Sequence, residues 1–176
     1  MNSDRPDLSL LNGVVAVEIL DAMRAASAKL ESAGIRHALA GALAVGAHGY
    51  PRASKDVDFV VGEEAFTVHS GGIVTINPDV PIRVGQVVVD PISVGPDEPH
   101  LLQAIQQAPV SSGIPVLPIE GLVYMKLKSS RRKDAADIVE LVKAGIDTEK
   151  VALYLASNAP SLVDKFKTLA FEAEAE

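Results

Sequence analysis

ALAGALAVGAHGYPRASKDVDFVV, residues 38–61, is the stretch whose reading decides the fold. It opens inside a short apolar strand, Arg36 to Ala40, and passes directly into small residues from Gly41 to Gly49. A Gly-Ala step after a strand marks a sharp turn. The small side chains beyond it suit a short helix pressed against a sheet, which Pro51 ends. DVDFVV, Asp56 to Val61, is the clearest strand in the chain and is closed by Gly62. Strand alternation puts Asp56 and Asp58 on one face and Val57, Phe59 and Val61 on the other.

Two carboxylates held side by side repel, a cost that is tolerable at a solvated edge or around a divalent cation. Twelve Asp in 176 residues give roughly 0.8 Asp-x-Asp pairs by chance, so the pair alone decides nothing. Its surroundings add weight. Backbone N–H groups at the Gly41-Ala42 turn could hold a triphosphate. Gly46 is followed by Ala47 instead of Lys, so this is not a Walker A loop, and the glycine spacing is not the dinucleotide fingerprint. Close helix–strand packing accounts for the same small residues, and both accounts can hold together. Arg52 reads either as a fork for a phosphate or as a surface arginine after Pro51.

Asp90 closes the apolar run Val87-Val88-Val89. A carboxylate ending a buried strand needs a partner or solvent. If that strand lies beside residues 56–61, Asp90 falls within about 5 Å of one member of the pair. Three carboxylates then converge, an arrangement suited to a two-metal clamp. A turn residue before Pro91 is the other reading.

Outward from this centre, the first ten residues are polar and read as frayed. Helical spacing of Val15, Ile19, Met23, Ala26, Leu30 and Ala33 predicts one amphipathic helix from Leu11 to Ala33, stopped by Gly34. From Ala65 to Ser93 the runs FTVHS, GIVTI, PIRV and VVVDPIS are β-like, with their register unassigned. A proline-punctuated section follows, carrying a helix from Leu101 to Gln107. Further helices are predicted over Ile119 to Ser129, Lys133 to Lys143 before Gly145, and Thr148 to Ser157. The last starts at Ser161, where Ser-Leu-Val-Asp has capping-box spacing. Lys126 reads as a snorkelling lysine on an amphipathic helix. Asp134 and Asp137, one turn apart beside Arg131 and Lys133, read as a solvated charge network.

The fold class expected is α/β (α+β): a short mixed sheet flanked by helices, with a helical C-terminal segment. Length predicts one domain over residues 1–176, with the sheet in 34–118 and helices in 119–176. Nearly half the residues are hydrophobic and 22% are charged, which excludes a disordered chain. A net charge of -7 argues against tight non-specific nucleic-acid binding. Without Cys there is no disulfide framework, thiolate metal site or cysteine nucleophile. The four histidines lack zinc spacing, and no Gly-x-Ser-x-Gly elbow supports a serine hydrolase. Neither a signal peptide nor an apolar run of membrane-spanning length is visible, so a cytoplasmic location without membrane contact is expected.

Gly41-Ala42, thirteen residues and then Asp56-Val57-Asp58 resemble the signature of the polymerase-beta-like nucleotidyltransferase superfamily. The longer phrase 38–61 is similar to bacterial minimal nucleotidyltransferases and the abortive-infection type toxins related to them. MKLKSSRRKDAADI, residues 125–138, resembles that group's lysine followed by Lys-Asp-x-x-Asp. The likeness spans about Gly34 to Gly145. It departs at Ala42, where the signature has a second glycine, and after Val61, where the family carries a helix.

The resemblance implies a nucleotidyltransferase fold and magnesium held by Asp56, Asp58 and Asp90, the last also acting as base. It implies an NTP, ATP among the candidates, at Gly41, Ala42, Arg52 and Lys126, with Asp134 or Asp137 supporting the lysine. The implied reaction moves a nucleoside monophosphate to a hydroxyl of RNA, protein or a small molecule. A catalytically silent nucleotide-binding module, or a toxin–antitoxin component that binds a partner protein, is the alternative.

Overall fold

The computed structural model describes residues 5–176. The central sheet has four strands in the order β1-β2-β6-β5: β1 (His37–Ala40), β2 (Asp56–Val61), β5 (Arg83–Val84) and β6 (Val87–Ser93). β1 runs antiparallel to β2, β2 parallel to β6, and β5 antiparallel to β6. The mixed sheet and its flanking helices agree with the expected fold class.

The N-terminal region departs from expectation twice. Helix α1 spans Val17–Ser32 and does not begin at Leu11. Residues 8–11 are not frayed either: Leu8–Leu11 form a 3-10 turn with Leu8 and Leu11 buried. The Asp7 carboxylate caps the turn by accepting from the Ser9 N–H. Asp7 N–H donates to Ala47 O at 2.8 Å, and Leu8 N–H to Ser111 Oγ at 3.0 Å. Gly13 at φ +80° and extended Ala16 then separate this turn from the helix. The first four residues of the expected frayed segment lie outside the described residues.

α1 does end where the sequence indicates. Gly34 takes φ +71°, its N–H bonds Glu31 O, and Ile35 N–H reaches back to Leu30 O. This is a Schellman close, which glycine permits at little cost. α1 buries Met23, Ala26 and Leu30 against the sheet face that carries Val57, Phe59, Val87 and Val89.

α2 (Gly41–Ala47) follows β1 without a loop and is buried along nearly its whole length. Small side chains are required there. A Cβ on Gly46 would sit 2.4 Å from Leu11 Cδ2 and 3.2 Å from Pro51 Cα.

After β2 the chain makes a separate two-stranded ribbon, β3 (Phe66–Val68) with β4 (Val74–Ile76), before β5 and β6 rejoin the sheet. α3 (Pro99–Gln106) begins two residues before the predicted Leu101, with Pro99 in its first turn, where a missing N–H costs nothing. The proline-rich section also holds a small hairpin, β7 (Val110–Ser111) with β8 (Ile114–Pro115), unforeseen in the sequence.

Four helices complete the described chain: α4 (Ile119–Lys128), α5 (Arg132–Lys143), α6 (Thr148–Asn158) and α7 (Val163–Ala175). The capping box expected at Ser161 is absent. Pro160–Leu162 is a 3-10 turn, and α7 starts after it with no side-chain cap. One continuous cluster of buried apolar residues joins the sheet, α1 and the C-terminal helices. No described helix is long and apolar enough to cross a membrane.

Candidate functional site

β2 carries Asp56 and Asp58 on its open face because Val57 and Phe59, both fully buried, claim the opposite one. In the β2–β6 register Asp58 stands opposite Asp90, and Asp56 opposite Val88. Partners in register on neighbouring strands lie about 4.8 Å apart and point the same way. The three carboxylates therefore share one sheet face, with Asp90 beside Asp58 and Asp56 two residues nearer the strand start.

None of the three carboxylates accepts a hydrogen bond or ion pair from another side chain among the described residues. Asp58 is half-buried. Burial pushes its pKa up, and the neighbouring charges of Asp90 and then Asp56 push it further, against weaker pulls from Lys126 and Arg131.

Gly41 fixes the other side of Asp58. Ala40, the last residue of β1, pairs with Asp58, so the α2 turn begins directly beside that carboxylate. Gly41 adopts φ +62°, and a Cβ there would lie 2.0 Å from Asp58 Oδ2. Glycine is thus demanded by both backbone conformation and space.

Across the cleft stands a wall of paired charges. Lys126, buried on α4, donates from Nζ to Asp134 Oδ1 at 2.7 Å and to Asp137 Oδ2 at 2.8 Å. Arg52 forks onto Asp137 through Nε and Nη2 at 2.9 and 2.8 Å. Arg131 Nε reaches Asp134 Oδ2 at 2.8 Å. Both aspartates are almost fully buried, which corrects the reading of a solvated network. Burial acts to raise their pKa values. It is outweighed at Asp137 by Arg52 and Lys126, and at Asp134 by Lys126, Ser129 and Arg131, so both are lowered. Lys126 does not snorkel: its ammonium is buried between two carboxylates.

The two walls enclose a cleft of about 540 Å³ lined by Gly41, Ala42, Arg52, Asp56, Asp58, Asp90, Lys126 and Asp134 among others. Of the residues singled out from sequence, Asp137 alone is not on its surface; it lies behind, holding Arg52 and Lys126. Lys55 and Lys133 also face the cleft and have no ion-pair partner among the described residues. Lys55 escaped the sequence reading, although its place one residue before the Asp pair could have drawn notice. Apolar Ile92, Leu122 and Met125 were likewise not foreseen as cleft residues.

His48, within the deciding stretch, does not reach the cleft. It is buried with Nε2 2.8 Å from Leu117 O, and burial holds its pKa down, so it ties α2 to the segment before α4 as a neutral ring.

Among the described residues no three His, Cys, Asp or Glu side chains form a ready-made metal-binding group. Alternate residues on a strand are separated by about 6.6 Å, which leaves Asp56 apart from the Asp58–Asp90 pair. The donors are nonetheless hard oxygens without protein partners. Magnesium asks for one or two such carboxylates and takes its remaining ligands from water and phosphate. The residues present fit a metal that arrives with its nucleotide.

No protein-family model matches the chain, and no curated protein matches it in sequence. In three dimensions the chain is similar to a solved structure, an antigenic nucleotidyltransferase-like protein from Paracoccidioides brasiliensis, with a TM-score of 0.50 and 17% identity over 93% of this chain and 95% of that one. At that identity the likeness speaks for the fold alone, and the fold of this chain is nucleotidyltransferase-like.

Proposed function

We propose that the chain is a magnesium-dependent nucleotidyltransferase that moves a nucleoside monophosphate from an NTP to an acceptor hydroxyl and releases pyrophosphate. The observation that carries this reading is the row of unpartnered carboxylates facing a cation-lined wall on a nucleotidyltransferase-like fold. In the transfer, the acceptor oxygen bonds to the α-phosphorus, the bond to the bridging oxygen of the β-phosphate breaks, and pyrophosphate leaves. The hydroxyl proton passes to Asp90, the exposed carboxylate beside Asp58.

Asp56, Asp58 and Asp90 would hold magnesium, which when bound neutralises the phosphate oxygens and orients them for in-line displacement. Gly41 and Ala42 floor the cleft under the triphosphate. Arg52 and Lys126 supply a positive wall whose positions are set by Asp134 and Asp137. We read residues 34–118 and 119–176 as two parts of one catalytic unit, since the cleft takes its carboxylates from the first and its lysine from the second. The acceptor belongs to RNA, protein or a small molecule. An RNA acceptor would call on Arg131, Arg132 and Lys133, three consecutive cations of which the first and last line the cleft.

The decisive experiment is pyrophosphate release from magnesium–NTP by the wild type and by Asp58→Asn, each checked for folding by circular dichroism. Turnover by the wild type that the variant lacks is the expected result. Equal release by both proteins would remove the carboxylates from the mechanism.

One observation favours a second reading, nucleotide binding without turnover in the service of a partner such as a toxin–antitoxin component. Residue 42, which lines the cleft, is Ala where the signature has its second glycine, and its methyl narrows the approach of a triphosphate to the backbone. Nucleotide-dependent stabilisation with no pyrophosphate release would support it.

A further inference from the structure

Five cationic side chains line the cleft, and they are not equivalent. Arg52, Lys126 and Arg131 are paired with Asp134 and Asp137. Lys126 spends two of its three donors on those carboxylates. Lys55 and Lys133 are exposed and have no ion-pair partner among the described residues. They stand on opposite walls. Lys55 ends the loop before β2, one residue ahead of Asp56, and Lys133 lies in the first turn of α5, one residue ahead of Asp134.

Charge balance gives these two lysines a task. The paired set, three cations and two carboxylates, keeps one positive charge in excess, against the three negative charges of Asp56, Asp58 and Asp90. A magnesium–NTP is itself a net anion. Without Lys55 and Lys133 it would enter a cleft of its own sign; with them the cleft as a whole is neutral and offers two ammonium groups to the ligand. A lysine can also donate to a base edge, but a charged phosphate oxygen is the stronger acceptor.

Resting on the nucleotidyltransferase reading, we propose that Lys55 and Lys133 bind the triphosphate directly, gripping its oxygens from opposite walls, while the ion-paired Arg52 and Lys126 chiefly hold the wall in shape.

The test is calorimetric binding of the four magnesium–NTPs and of magnesium–inorganic triphosphate to wild type, Lys55→Met, Lys133→Met and the double variant. Each single substitution should raise the dissociation constant by about tenfold, near the lower end for a hydrogen bond to a charged group. The double variant should lose more. The loss should be the same for inorganic triphosphate as for the tightest NTP, and Lys55→Arg should restore much of the binding. Unliganded melting temperatures should stay at the wild-type value, because neither lysine supports the fold through an ion pair. Lys29→Met, on α1 behind the sheet, controls for overall charge and should bind as wild type does. Unchanged affinity in both lysine variants overturns the inference, as does an equal loss in Lys29→Met. A loss confined to NTPs, with inorganic triphosphate unaffected, would mean that the lysines read the base and would overturn it too. In each of these cases wild-type binding leaves the nucleotide site standing. Absence of NTP binding by the wild type removes both the inference and the reading beneath it.

Discussion

A Cβ placed on Gly41 would lie 2.0 Å from Oδ2 of Asp58, so the first residue of α2 and the central carboxylate of β2 occupy their positions at each other's expense. The contact follows from connectivity: Ala40 pairs with Asp58, and the chain turns into α2 at the next residue. Gly41→Ala should cost about 1–2 kcal/mol from the left-handed backbone alone. It must also displace the Asp58 carboxylate. Denaturant unfolding will show the first effect. Loss of magnesium–NTP stabilisation in a protein that remains folded will show the second, and an alanine variant with wild-type nucleotide response would mean that the Asp58 position does not matter to binding.

Removing the buried ammonium of Lys126 leaves Asp134 and Asp137 short of a partner in a buried setting. Lys126→Met is therefore expected to destabilise by about 3–5 kcal/mol. Arg131, mostly exposed, pairs with the same Asp134 from the solvent side, and Arg131→Ala should cost no more than about 1 kcal/mol. Urea titrations of the two variants should separate them clearly. Similar small losses would show that the lysine is readily replaced.

The acidic groups of the cleft make opposite contributions to stability as pH changes. Asp58 has its folded pKa raised from 3.8, so the folded state holds its proton more tightly than the unfolded chain does. Its ionisation weakens the fold as pH rises from 3.8 through the raised value, and the penalty is complete above it. Asp58→Asn should then raise the melting temperature at neutral pH and leave it unchanged well below pH 3.8. Asp134 and Asp137 are lowered from 3.8. Their stabilisation is present above that value and is lost as pH falls through the lowered folded values. Melting temperatures of wild type and Asp58→Asn from pH 3 to 8 check the sign; a lower melting temperature for the variant at pH 7 would contradict it.

Leu11 is fully buried, packed where Gly46 leaves no room for a side chain. Leu11→Ala should cost about 2–5 kcal/mol. The neighbouring and exposed Leu10 should tolerate alanine within about 0.5 kcal/mol. Equal effects of the two substitutions would mean that the N-terminal turn does not pack as described.

The parts of this architecture legible in the sequence were those fixed by short-range rules. β2 was readable because alternation over Asp56 to Val61 is strict, and the end of α1 because Gly34 closes it in the left-handed conformation. Asp90 could be placed beside the pair only conditionally, since alternation says which residues share a face but not which strands adjoin. The 66–93 region shows the difficulty: two of its runs pair with each other as a ribbon, while another crosses to lie parallel to β2. Helical periodicity through Leu11 and Val15 misled because Val15 N–H does bond Leu11 O in a single helix-like turn, which extended Ala16 then interrupts before α1 begins. The burial of Asp137 was invisible for a different reason: its Arg52 partner lies 85 residues away, beyond any local pattern. The candidate site residues came from a motif, whereas the ion pairs that hold Arg52 and Lys126 had to be seen.

The ionic set of Arg52, Lys126, Asp134 and Asp137 also constrains how this sequence can change over generations. Altering any one member takes a partner from a buried charge, so a lineage drifting by single substitutions passes through a weakened intermediate at each attempt. Homologues should therefore keep all four or exchange them together for an uncharged set. The surface cations Lys55 and Lys133, without an ion-pair partner among the described residues, are free to wander wherever their task allows.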